Sequence, residues 1–152
     1  MREVYLTFKI EKKDLIITNF AEFDVFDSWE VLDKFSYDLI TDSNETRLNY
    51  ISKQIEKSNS NILICNAGYN LEDFERIAQN LEIQKIRINK IFLPNQIKRD
   101  KILAEGIELY NNHNRWFDFY PGQIEDIHND SEERIKNIKI GFENTHTEII
   151  EI

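Results

Sequence analysis

The chain has 152 residues and a formal net charge of −9 at pH 7, which disfavours direct binding to nucleic acid phosphates or to an anionic membrane surface. Hydrophobic residues make up 41% of it and aromatic residues 12%, enough to build a core, so we expect one globular domain over residues 1–152. Cys65 is the single cysteine, which excludes an intramolecular disulfide. With no apolar run of the length of a signal peptide core or a membrane span, the sequence predicts a cytoplasmic protein.

The first part of the chain predicts two strands and then two helices. Apolar and polar residues alternate over 4–10, which is typical of a half-buried strand, and 15–20 reads as a second strand that forms a hairpin with it. After an acidic loop, the spacing of Asp27 and Glu30 resembles a capping box and predicts a helix to residue 39. A second helix is predicted from residue 42 or 43 to 55.

The rest of the chain alternates strands with helices and then ends in a predicted hairpin. Asn70 is a candidate N-cap, and Pro94 stops the strand before it. The predicted elements are a strand at 61–68, a helix at 70–81, a strand at 83–93, a helix at 97–111, an irregular stretch, and strands at 138–142 and 149–152.

This order predicts an α/β (mixed α+β) fold. We expect a single mixed β-sheet of about six strands with roughly four helices packed on it. The central strand–helix–strand part favours parallel pairing, and the two hairpins favour antiparallel edges.

Motifs that would identify an enzyme are missing from the sequence. It contains no G-x-x-x-x-G-K phosphate loop and no G-x-S-x-G nucleophile elbow, and its three histidines are widely separated. The sequence therefore predicts no catalytic residue, no metal ligand and no cofactor. One enzymatic alternative remains, a small metal-dependent hydrolase or nuclease with a divalent ion among Asp24, Asp27 and Asp33.

Charge is sorted by segment along the chain. Residues 14–45 hold nine acidic residues and one basic residue, a sum of −8, and residues 118–133 hold six acidic residues and no lysine or arginine. Residues 85–101 reverse the sign, with six basic residues against one acidic. This basic segment (Lys85 to Lys101) can balance acidic surfaces internally, form part of a dimer interface, or contact RNA.

Aromatic residues lie among the carboxylates of both acidic stretches. This combination suits a protein interface, because aromatic anchors provide affinity and a negative field accelerates encounter with a basic partner. We therefore expect a non-enzymatic inhibitor of the immunity or antitoxin type, whose partner is a basic protein such as a nuclease toxin domain. The alternative is a phage-encoded blocker of a host nucleic-acid-binding protein, which would bind its target through the same acidic and aromatic residues.

Reversing Asp24, Asp27 and Asp33 to lysine should weaken binding and remove its salt dependence. The residues expected to contact the partner are Asp24, Asp27, Trp29, Glu30, Asp33, Asp38, Trp116 and Asp118.

Overall fold

The computed structural model describes residues 2–10, 12, 15, 20–28, 43–68, 70–112 and 121–152, and these form five strands and four helices. In chain order the elements are β1 (Val4–Phe8), β2 (Phe23–Asp27), α1 (Ser43–Lys57), β3 (Asn61–Gly68), α2 (Leu71–Ile83), β4 (Lys90–Leu93), α3 (Gln96–Asn112), α4 (Pro121–Gly141) and β5 (Glu148–Glu151).

The five strands form one parallel sheet in the order β2-β3-β1-β4-β5. Because all strands run in one direction, their carboxyl ends meet at one edge of the sheet, here called the carboxyl edge, and their amino ends meet at the opposite, amino edge. The predicted α/β class and the single sheet are confirmed. The described residues form four helices, the number expected, but only α1, α2 and α3 coincide with predicted helices. Helix α4 occupies a stretch predicted to be irregular and then a strand. The sheet has five strands rather than about six, and its described pairings are parallel rather than mixed.

Alternate residues of each strand pack on the two faces of this sheet. On one face, the helix face, strand residues such as Leu6 and Ile64 form a core with α1, α2 and α4. On the other, the aromatic face, Tyr5 and Phe92 pack with Phe20 and Phe23, with ring centroids between 4.8 and 6.3 Å apart. Burial of both faces explains why these strands are rich in apolar residues, as parallel strands usually are.

Helix α2 begins where the sequence predicts it. The side chain of Asn70 accepts a hydrogen bond from the backbone N–H of Asp73, and the Asp73 carboxylate accepts one from the backbone N–H of Asn70. This reciprocal capping box satisfies two N–H groups that have no partner inside the helix. Gly68, two residues earlier, allows close packing, because a Cβ there would come 2.7 Å from Cβ of Asp73.

The predicted N-terminal hairpin is wrong, because β1 has a parallel neighbour on each side. Tyr5 is in register with Leu63 of β3 and with Lys90 of β4, so no edge of β1 remains for residues 15–20. Most of that predicted second strand, and the helix predicted to reach residue 39, lie outside the described residues. The sequence predicts an acidic loop at residues 23–27, but these residues form β2, which is the edge strand of the described sheet, beside β3.

The predicted C-terminal hairpin is also wrong. Residues 138–141 belong to the end of α4, and β5 pairs in parallel with β4. The apolar residues of this stretch fit both the two-residue repeat of a strand and the 3.6-residue repeat of a helix. The structure has the helix, since Ile135, Ile138 and Phe142 are buried, whereas Ile140 is 58% exposed. The predicted strand at 83–93 is shorter than expected and spans only Lys90–Leu93.

No helix within the described residues is both long and apolar enough to cross a membrane.

Candidate functional site at the carboxyl edge

Two of the eight residues expected to contact a partner, Asp24 and Asp27, belong to strand β2. The other six lie outside the residues that the structure describes: Trp29, Glu30, Asp33, Asp38, Trp116 and Asp118.

Asp24 and Asp27 are not brought together. Phe26 packs on the helix face and Phe23 on the aromatic face, so Asp24 shares the side of Phe26, and Asp27 shares the side of Phe23. At about 3.3 Å per residue the two are also about 10 Å apart along the strand. No group of three or more His, Cys, Asp or Glu able to hold a metal ion occurs among the described residues. This geometry disfavours one divalent ion shared by Asp24 and Asp27.

A cluster of polar side chains, here called the carboxyl-edge cluster, lies where β1, β2 and β3 end. It consists of Thr7, Asp27, Ser28, Arg47 and Asn66. The pairing of β1 with β3 is irregular here, since Leu6 is in register with Ile64 but Phe8 with Gly68. Within this bulge Asn66 has a φ of 52°, in the left-handed region that asparagine tolerates better than most residues.

Hydrogen bonds within the cluster satisfy the backbone of the bulge. The Asn66 carbonyl oxygen accepts hydrogen bonds from the hydroxyl of Ser28 and from Nη2 of Arg47, and Nη2 of Arg47 also lies 3.0 Å from Oγ of Ser28. The Asn66 backbone N–H donates to Oγ1 of Thr7 at 2.9 Å, and that hydroxyl donates to the carbonyl oxygen of Ile10 at 3.1 Å. A bulge removes regular sheet hydrogen bonds, so these side chains replace partners that the strands no longer provide.

Asp27 is the half-buried member at the rim of the cluster. The Nδ2 of Asn66 donates to its Oδ1 at 3.3 Å, whereas Arg47 is only 2% exposed and Ser28 and Thr7 are fully buried. The carboxyl edge is where open parallel sheets usually bind ligands. In this protein, however, the hydroxyl protons of Ser28 and Thr7 are donated to backbone carbonyl groups. Such bonding is typical of a cluster that supports the fold around Asp27.

Sequence analysis did not identify Thr7, Ser28, Arg47 or Asn66. A signal for Arg47 was present, because it stands four residues before Ile51 and eight before Ile55, in phase with the apolar stripe of α1. Those two isoleucines are fully buried. A basic residue on the buried side of a helix needs partners in the interior, and those of Arg47 include Ser28 and the backbone of Asn66.

At the start of β2, two acidic side chains are exposed, Glu22 and Asp24. The Asp24 carboxylate accepts a hydrogen bond from Oγ of Ser58 at 2.7 Å. Neither carboxylate forms an ion pair with a lysine or arginine of the described residues. The two therefore add negative charge at the exposed end of the edge strand.

Three of the six basic residues of the basic segment form ion pairs. Lys90 pairs with Glu148 at 3.8 Å, Lys101 pairs with Glu105 at 3.9 Å, and Arg99 pairs with both Glu132 and Glu151. These contacts are the internal balance that the sequence analysis considered for this segment.

The other three basic residues, Lys85, Arg87 and Lys98, form no ion pair within the described part of the chain. Lys85 and Arg87 are exposed, and Lys98 is half-buried.

Comparison of the sequence and structure with known protein families, curated proteins and solved structures finds no match.

Proposed function

We propose that this protein is a non-enzymatic inhibitor of the immunity or antitoxin type, which neutralises a basic bacterial toxin domain, of the nuclease kind, by binding it through an acidic and aromatic surface. The observation that carries the proposal is the pair of exposed carboxylates Glu22 and Asp24, which lack ion pairs with any described lysine or arginine. They belong to the segment 14–45, whose formal charge is −8.

Concentrated like charge destabilises a compact protein by self-repulsion. Some acidic residues, such as Glu132 and Glu148, are paired with arginine or lysine, whereas others, such as Glu56 and Glu133, form no ion pair within the described residues. Glu22 and Asp24 differ from these in belonging to the segment of charge −8, whose negative field attracts a positively charged protein and raises its association rate.

Aromatic rings that adjoin Glu22 in the chain supply apolar contact area on the aromatic face, whereas Asp24 projects from the opposite side of β2. Phe20 and Phe23 are each half-buried, and their rings pack edge-to-face with centroids 5.5 Å apart. Both also contact the ring of Tyr5, which holds them in place. A rigid, half-exposed aromatic ring beside a charged rim is the arrangement in which interface hot spots are usually found.

The carboxyl-edge cluster supports binding over catalysis. Its two hydroxyl groups donate hydrogen bonds to backbone carbonyls, and its guanidinium donates one to the carbonyl oxygen of Asn66 in the bulge. A nucleophile activated for catalysis would instead be bonded to a general base.

We place the protein in the cytoplasm, because its only cysteine, Cys65, is buried and forms no disulfide within the chain. A disulfide-free chain with a single buried thiol is usual in a reducing compartment.

The proposal is tested with the double variant Glu22→Lys/Asp24→Lys. Partners are captured on the immobilised wild-type protein from lysate of the native host and identified by mass spectrometry. The purified partner is then titrated by calorimetry at low and high NaCl concentration. We expect a basic partner, whose nuclease activity the wild-type protein inhibits, and a Kd that rises at least about tenfold in the variant and depends less on salt.

The matched control is Glu56→Lys/Glu133→Lys, which makes the same charge change at two exposed glutamates on α1 and α4. Its Kd should stay close to that of the wild-type protein. An acidic or neutral partner, or equal losses of affinity in the two double variants, would refute the proposed surface.

A further inference from the structure

A cavity of about 570 Å³ opens at the amino edge of the sheet. Its walls are the end of α2, residues 85–88 before β4, Phe142 after α4, and residues 145–147 before β5. This amino-edge cavity is separated from β2, and so from Glu22 and Asp24, by strands β3 and β1. Its volume lies within the range of about 300 to 1,000 Å³ that is usual for small-molecule sites.

The inner surface of the cavity is apolar. Ile88 and Phe142, which are 4% and 5% exposed, belong to the core of the helix face, and Ile86 and Ala78 pack against that core. These side chains offer an apolar ligand group a surface that continues the protein core.

The rim of the cavity is basic. Lys85, Arg87 and His146 all line it and are exposed. Glu82 is the single acidic residue in the lining, and neither Lys85 nor Arg87 lies within 4.0 Å of a carboxylate of the described residues. Other lysines, such as Lys53 and Lys57, also form no ion pair within the described residues. What distinguishes Lys85 and Arg87 is that both line the same cavity.

Lys85 occupies a position where the backbone favours glycine. Its φ is 60°. The N–H of Lys85 donates a hydrogen bond to the carbonyl oxygen of Glu82 at 2.9 Å, and the N–H of Ile86 donates one to the carbonyl oxygen of Leu81 at 2.8 Å. This pair of bonds is the Schellman motif that ends a helix, in which glycine is the usual residue at the left-handed position. The backbone therefore gives no reason for a lysine here.

Stabilisation of the C-terminal end of α2 explains only one of the three basic residues at the rim. A cation near a helix C-terminus interacts favourably with the helix dipole, which suits Lys85. Arg87 lies beyond the motif, and His146 comes from the loop between α4 and β5. The convergence of three such residues from two segments on an apolar floor is better explained by a ligand.

We propose that the amino-edge cavity binds a small amphiphilic anion, with a carboxylate or phosphate head at Lys85, Arg87 and His146 and an apolar body against Ile86, Ile88 and Phe142. Lysine and arginine are the usual partners of both head groups. The inference goes beyond the proposed inhibitor function and does not depend on it.

The proposal is tested by titration of the isotope-labelled protein, followed by two-dimensional NMR. Octanoate and octyl phosphate are the anionic probes and distinguish the two head groups, octylammonium carries the same tail with a positive head, and inorganic phosphate carries the head alone. We expect saturable binding of at least one anionic probe, with backbone shifts concentrated at residues 85–88 and 145–147. Binding of octylammonium at equal affinity, or no saturable binding of either anionic probe at millimolar concentration, would overturn the proposal.

The variant Lys85→Gln/Arg87→Gln removes two positive charges and keeps side-chain length. Its matched control is Lys53→Gln/Lys57→Gln, which removes two charges from exposed positions on α1. The Kd for the anionic probe should rise at least about tenfold in the first variant and less than about twofold in the second. Equal effects in both variants would show that net charge alone attracts the probe, and would refute a site at the cavity.

Discussion

The guanidinium of Arg47 donates a hydrogen bond to the backbone carbonyl oxygen of Asn66, the residue that has a left-handed φ of 52° at the carboxyl edge of the parallel sheet. Helix α1 thereby supplies the partner that the bulge between β1 and β3 removes from the backbone. The same guanidinium bonds Ser28, the residue directly after β2. One buried arginine thus joins the ends of β2 and β3 to α1.

Replacement of Arg47 by methionine should lower the free energy of unfolding by about 2 to 4 kcal/mol, because the Asn66 carbonyl would lose a charged donor in a buried site. Urea denaturation measures this change. The control is Lys53→Met on the exposed side of the same helix, which should stay within about 0.5 kcal/mol of the wild-type protein. Equal stabilities of the two variants would contradict the structural role of Arg47.

Gly68→Ala should destabilise the protein more than Gly141→Ala. The added Cβ at position 68 would lie 2.7 Å from Cβ of Asp73, which the capping box holds in place. At position 141 it would lie 2.5 Å from Cδ1 of Leu71, at the end of a side chain that can change rotamer. We expect a loss of about 2 to 3 kcal/mol for Gly68→Ala and a smaller loss for Gly141→Ala, measured by thermal and urea denaturation. The reverse order would be inconsistent with this packing.

Lys85→Gly should make the protein more stable by about 1 kcal/mol, because a non-glycine residue in the left-handed conformation costs about that much. Lys53→Gly, inside α1, should have the opposite sign and cost about 1 kcal/mol. If the amino-edge cavity binds anions, the Lys85→Gly variant should also bind octanoate or octyl phosphate more weakly. A loss of stability at Lys85→Gly would show that the lysine contributes contacts that outweigh its backbone conformation.

Ionisation of the Tyr5 hydroxyl should lower the free energy of unfolding at alkaline pH. Burial, and then the hydrogen bond from its hydroxyl to Glu3, raise the pKa of Tyr5 from its ordinary value of 10.0 to about 12. Because the unfolded chain loses this proton first, the favourable contribution is complete below about pH 10 and is lost as pH rises towards 12.

The comparison variant is Tyr5→Phe, which keeps a ring next to Phe23 and Phe92 but has no ionisable group. Between pH 10 and 12 the free energy of unfolding of the wild-type protein should fall more steeply than that of the variant, as measured by urea denaturation at each pH. Parallel curves would mean that the Tyr5 hydroxyl titrates alike in the folded and unfolded states.

Elements whose signals are local were predictable. The Asn70 cap, the apolar run of β3, and the stripe of Leu48, Ile51 and Ile55 on α1 all specify their own conformation through neighbours a few residues away. The candidate site was harder to predict from the sequence. Of the carboxyl-edge cluster, only Asp27 was identified, and as an interface residue rather than as a partner of Asn66.

Short-range pattern and composition were sufficient to predict the class of the fold, the positions of β1, β3, α1, α2 and α3 to within a few residues, and the sorting of charge along the chain. The folded structure was needed to show that the described strands pair in parallel, that the residues from Ile135 to Phe142 pack with helical spacing, and that Asp24 and Asp27 lie on opposite sides of β2. These outcomes depend on which distant segments cover each face of the sheet. An alternating apolar pattern fits more than one such arrangement, so only long-range packing selects between them.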